Sequence, residues 1–175
     1  MSITIFAVLA SVVVAAPGST LAAHPPTSIT IARSAHDTPG APDTARVSAM
    51  LARGDSLEAA GRVHEARRQY QSLIDQQRAA GQYPLRALWH LANSYYFHDD
   101  EVRAASTLDE LADAAGRFGY PATELRASFE AAVLYQRHHQ PARVAQKVVR
   151  VRALLNSPVI DEATKKEIEK RLADA

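Results

Sequence analysis

"LRALWHLANSYYFH" (residues 85–98) and "LRASFEAAVLYQRH" (residues 125–138) are one segment written twice. At an offset of 40, Leu85/Leu125, Arg86/Arg126, Ala87/Ala127, Trp89/Phe129, Ala92/Ala132, Tyr95/Tyr135 and His98/His138 match in identity or type. A third copy joins at an offset of 38, pairing Leu51 with Trp89, Gly54 with Ala92 and Leu57 with Tyr95. Its continuation pairs Ala66 with Ala104, Tyr70 with Leu108 and Leu73 with Leu111. The intervening loops echo as well, "AAGQYP" (79–84) with "AAGRFGYP" (114–121), and Pro84, Pro121 and Pro158 are evenly spaced by 37. Self-similarity at such a period signals supersecondary units that stack because none buries its apolar face alone.

Each unit reads as a pair of helices. From about residue 43 onward Ala, Leu, Glu, Arg and Gln dominate, all good helix formers. Strand periodicity is absent. Gly and Pro fall at breaks (Gly61, Gly81 and Pro84, Gly116 to Pro121, Pro141, Pro158), and these, with the pairing of the repeats, give about seven helices. Gly54, Ala92 and Ala132 are small where a first helix must meet its partner closely. Ala66 and Ala104 face them, and Leu57, Tyr95 and Tyr135 fill the space alongside. The final "NSPVIDEATKKEIEKRLADA" reads as a closing helix, with Ser157 or Asp161 as its cap. Val159, Ile160, Ala163, Ile168 and Leu172 are placed to cover the last repeat, and a solenoid needs such a cap with a polar outer face.

The pattern resembles the tetratricopeptide repeat family, in which a large residue, a small residue and an aromatic mark the first helix. Met50, Gly54, Leu57, Ala66 and Tyr70 supply it in the first repeat. Leu88, Leu91, Ala92, Tyr95, Ala104 and Leu108 supply it in the second, and Ala132, Tyr135, Val144 and Val148 in the third. The spacing of 38 to 40 departs from the family's 34, so helices or loops are longer. The resemblance implies an all-α, right-handed superhelical solenoid of about three helix pairs (44–81, 84–118, 122–156) with a capping helix (157–175). It also implies that the first helices line a concave, protein-binding groove. Carried over position by position, that groove comprises Asp55, Arg86, Trp89, Asn93, Tyr96, Phe97, Arg126, Phe129 and Arg137, with Leu51, Glu58 and Val133 beside them. Trp89 and Phe129 fit equally as core packed between repeats. The groove is acidic in the first repeat and basic in the next two, which would orient a partner.

The rest of the chain narrows the function. Formal net charge is +1 over 175 residues, which provides no field to gather nucleic acid or membrane. With no cysteine, disulfides, thiolate metal sites and a cysteine nucleophile are excluded. Residues 3–16, "ITIFAVLASVVVAA", form an uncharged apolar run of 14, short of the about 20 residues that span a bilayer. Small residues follow, so residues 1–23 read as a cleaved signal peptide lacking a basic n-region, with an uncleaved anchor as the alternative. Residues 24–43, rich in proline, read as a disordered linker. The expected location is therefore periplasmic or secreted, with membrane contact only through the export signal.

Four candidate sites compete with the groove. "GDSL" (54–57) matches the nucleophile block of a family of serine esterases. However, Ser56 lies inside a helical repeat, and no His stands three residues after an Asp to activate it. "RGD" (53–55) matches an integrin-binding tripeptide, but a helix holds Arg53 and Asp55 rigidly, about 200° apart. His98 with Asp99, Asp100 and Glu101, and His138 with His139, sit at equivalent turns, where adjacent residues do not converge on one metal. Arg143, Lys147 and Arg150, with Arg137 before them, share a helical face and read as a solvated charge row. The expectation is a non-enzymatic scaffold of the cell envelope with a protein partner and no cofactor, metal, nucleic acid or small-molecule substrate. The alternative is an oligomerising subunit that uses the third repeat and closing helix, with an apolar patch at Val148 and Val151.

Overall fold

A computed structural model describes residues 44–173, all within one compact unit that spans residues 38–175. The signal and linker segments lie outside the described residues. Those residues fold as seven consecutive helices with no strand among them. The helices are α1 (Thr44–Ala59), α2 (Val63–Ala79), α3 (Leu85–Phe97), α4 (Glu101–Arg117), α5 (Pro121–Arg137), α6 (Pro141–Leu155) and α7 (Glu162–Ala173). α1 to α6 each pack mainly on their neighbours in sequence, α1 also meets α3, and α7 packs on α5. This is an all-α solenoid of helix pairs.

The C-terminal ends of α1 to α5 share one device. Gly61, Gly81, Asp99, Gly119 and His139 all take the left-handed conformation just past a helix. In each case the next residue donates its N–H back across the turn. Arg62 bonds Leu57 O at 2.8 Å, Gln82 bonds Gln77 O at 2.7 Å, and Asp100, Tyr120 and Gln140 bond Tyr95, Ala115 and Tyr135 O at 2.9 Å. This is the Schellman closure, which satisfies carbonyls that the helix leaves open. Pro121 and Pro141 then open α5 and α6 at positions where a missing N–H costs nothing. Asp161 caps α7, accepting from the Thr164 N–H at 2.8 Å and its hydroxyl at 2.7 Å.

Burial tracks position in the stack. α1, at the edge, buries only Leu51 and Gly54, whereas α5, packed on both sides, buries nine residues. The crossing in the first hairpin is tight, because a Cβ on Gly54 would overlap the ring of Tyr70, itself 1% exposed. The apolar interior falls into two clusters. The larger runs from Leu51 through Tyr70, Leu88, Leu111 and Leu134 to Tyr135. The smaller joins Leu125 and Phe129 of α5 to Val151 and Leu154 of α6, Ile160, and Ile168 of α7.

In the row Arg143, Lys147 and Arg150, Arg143 and Arg150 are exposed, as expected of a solvated face, but Lys147 is not, and all three are tied to other helices. Lys147 is 9% exposed and meets Asp109 of α4 at 2.7 Å. Arg143 donates to the Tyr135 hydroxyl at 2.8 Å and lies over its ring, while that hydroxyl donates to Asp109. Arg150 pairs with buried Glu124, whose carboxyl occupies the space left by the missing side chain of Gly116. The row clamps α6 onto α4 and α5.

Candidate functional site

The first helices of the pairs, α1, α3 and α5, carry the residues expected to form the groove, and the structure divides them into three groups. Asp55 is the centre of the first. Its Oδ1 accepts from the Tyr70 hydroxyl at 2.7 Å and lies 2.8 Å from His90 Nδ1. One carboxylate thus joins α1, α2 and α3. Burial above all, and then the hydrogen bond to Asp55, raises the Tyr70 phenol well above its ordinary pKa. Nearby, Arg86 reaches from α3 to the Ser48 hydroxyl at 3.1 Å. His98 approaches Glu58 at 3.9 Å.

The second group lies where α3 ends. Tyr96 and Phe97 meet edge to face at 5.6 Å, with Tyr96 half-buried and Phe97 58% exposed. Arg137, from the end of α5, pairs with Glu101 at 2.9 Å, and Glu101 also faces His138 at 3.1 Å. A hydrogen bond with Tyr96, the largest cause, holds the Arg137 guanidinium above its ordinary pKa, and Glu101 adds to it. Tyr96, Phe97 and Arg137 are therefore brought together from two helices, with Glu101 of a third. Trp89 and Asn93 sit half-buried on the same helix, Trp89 against the main core.

The third group is covered. Phe129 is 3% exposed and belongs to the smaller core, under Arg171 of α7 at 4.5 Å. Arg126 bonds the Thr164 hydroxyl at 3.2 Å and Glu167 at 3.1 Å. Arg171 bonds Glu130 at 2.6 Å. Of the two readings of Phe129, the core one holds, because α7 lies where an open groove would continue. Two arginines of the expected basic half are paired with carboxylates, Arg137 with Glu101 and Arg126 with Glu167, while Arg86, among the described residues, bonds only the Ser48 hydroxyl. The apolar patch expected of an assembly surface also fails at Val151, which is 2% exposed.

Sequence reasoning missed His90 and Glu130, and considered Glu101 only as a metal ligand. His90 carried a signal, since His90, Asn93 and Phe97 fall on one helical face at spacings of three and four. Glu101 and Glu130 find their partners only through tertiary packing. Among the described residues, no group of three or more His, Cys, Asp or Glu could hold a metal. Ser56 donates to the Ala52 carbonyl at 2.8 Å within its own helix, as an ordinary helical serine does.

The geometry defines a helical-hairpin repeat protein. A tetratricopeptide repeat family model matches residues 48–79, which lie in the first hairpin. No curated protein and no solved structure matches the chain. The match and the helical architecture support a tetratricopeptide-like repeat protein. Repeats of this type generally mediate protein–protein interaction or scaffolding and are typically non-catalytic.

Proposed function

We propose that the protein is a non-enzymatic interaction module of the cell envelope. It holds a segment of a partner protein on the face formed by α1 and α3 and the end of α5. Phe97, Tyr96 and Arg137 are its anchor, with Asp55, Arg86 and Asn93 alongside. The observation that carries this reading is Phe97, a large aromatic 58% exposed and edge to face with Tyr96, which in turn bonds the Arg137 guanidinium. Aromatic and Arg side chains supply most of the energy of protein interfaces. Export rests on the apolar run at residues 3–16.

The test is capture of partners from an envelope extract by the wild-type chain and by the Phe97→Ala/Arg137→Ala variant. The expected result is a partner retained by the wild type and lost by the variant. Equal capture by both would place the contact elsewhere.

A further inference from the structure

The described surface carries a pocket that the groove does not use. It has a volume of about 330 Å³ and is lined by Arg53 and Leu57 of α1, Arg62 at the start of α2, and Glu65, Arg68 and Gln69 of α2. Three guanidiniums and one carboxylate give it a local charge of +2. The carboxylate is already engaged, since Arg62 Nε donates to Glu65 Oε1 at 2.7 Å. That bond, with Arg68 adding by charge alone, keeps Glu65 below the usual carboxylate range. Among the described residues, neither the Arg53 nor the Arg68 guanidinium has a hydrogen bond or an ion pair within salt-bridge distance. One carboxylate, already held by Arg62, faces three guanidiniums, so the pocket keeps an excess positive charge that an anion would offset.

We propose that this pocket binds the phosphoryl group of a small phosphate monoester. Its charge selects the ligand. A monoester carries about −1.5 to −2 at neutral pH, which matches +2, whereas a carboxylate or phosphodiester brings a single charge. The free guanidiniums offer forked N–H donors that fit phosphate oxygens in pairs. Leu57 and Gln69 line the same pocket and supply apolar and amide contacts for the organic remainder. This gives the first residue of the "RGD" triplet a role separate from the third. Arg53 faces the pocket, while Asp55 is turned to Tyr70 and His90.

The test titrates the full chain with inorganic phosphate and, separately, with phosphoserine at constant ionic strength, following the arginine side-chain NMR signals. Saturable binding that shifts Arg53 and Arg68 is expected. The Arg53→Gln/Arg68→Gln variant should lose about tenfold or more in affinity, the worth of one hydrogen bond to a charged group. Arg53→Lys/Arg68→Lys keeps the charge and loses the fork, and should fall between. Tighter binding of phosphoserine would assign the site to an organic monoester, and equal binding would assign it to free phosphate. Non-saturable shifts, or equal affinity in wild type and the glutamine variant, would mean an adventitious ion only and overturn the proposal. Both arginines are exposed, so the variants should fold, and unchanged circular dichroism checks this.

Discussion

Tyr70 lies against Gly54 so closely that its ring fills the place of a Gly54 side chain, and its hydroxyl donates to Asp55, the next residue, at 2.7 Å. Packing and hydrogen bonding therefore fix the first hairpin at one point. Gly54→Ala would force the ring out of a fully buried position. Overpacking of this kind costs about 1–3 kcal/mol. Alanine returns about 1 kcal/mol of helix propensity. Because the overlap is with a ring rather than a flexible tip, the cost should exceed the return. The urea midpoint should fall with its slope unchanged, and adding Tyr70→Leu should recover part of the loss.

Phe97 and Phe129 should respond in opposite ways, although the repeat pattern assigned both to the groove. Phe97→Ala with Arg137→Ala removes an exposed ring and a surface ion pair, worth at most about 1 kcal/mol in stability. Helicity and melting should hardly move while partner capture is lost. Phe129→Ala opens a cavity in the smaller core and should cost about 3–5 kcal/mol. Thermal denaturation of the two variants side by side checks both.

Asp161 makes the attachment of α7 dependent on pH. Hydrogen bonds from the Thr164 backbone and hydroxyl hold its carboxyl below its ordinary value of 3.8. A carboxylate with a depressed folded pKa contributes stability above the unfolded value and loses it as pH falls through the folded one. The cap should therefore be intact at neutral pH and weaken below about pH 4. The Thr164 amide signal should titrate with a midpoint below 3.8, and Asp161→Asn should abolish that titration.

His139 occupies a left-handed position that glycine fills at three equivalent turns. A β-carbon there carries a steric cost that glycine avoids. His139→Gly should stabilise the chain by up to about 1 kcal/mol, read as a higher melting temperature. Destabilisation would indicate that the imidazole makes a contact worth more than the strain.

The repeat and its tight crossings were legible because they are local. A small residue every 38 to 40 positions and a glycine after the helix both act within one hairpin. The turn between α3 and α4 was harder to see, because Asp99 takes the left-handed conformation there without Gly or Pro to mark it. The charge row on α6 was legible only in part: Arg143 and Arg150 are exposed as its period implies, but Lys147 is buried. The row's acidic partners, Asp109 and Glu124, come from other helices and cannot be found by spacing along α6. Phe129 was ambiguous for a related reason. Whether it faces a groove or a core depends on α7, and α7 repeats the pattern poorly. Continued by 38 residues, the spacing of Arg126 and Thr164, the small position of Gly54, Ala92 and Ala132 falls on Lys170. A lysine there opposes a further close crossing, which fits a closing helix.

The interior is split in two, and α5 is the wall that both parts share. The smaller part depends on α7, which buries only Thr164 and Ile168 and is otherwise tied by side-chain bonds to Arg126 and Glu130. Free energies of local opening follow buried apolar contact, so they should be graded along the chain, with α7 at the low end. Its amides should exchange with solvent before those of α2 to α4. Each such opening uncovers Phe129 and releases Arg126, adding an aromatic and a guanidinium to the face beside Val133. The area this protein can offer a partner is therefore an equilibrium quantity, and a segment that competes with α7 would enlarge the surface to which it binds.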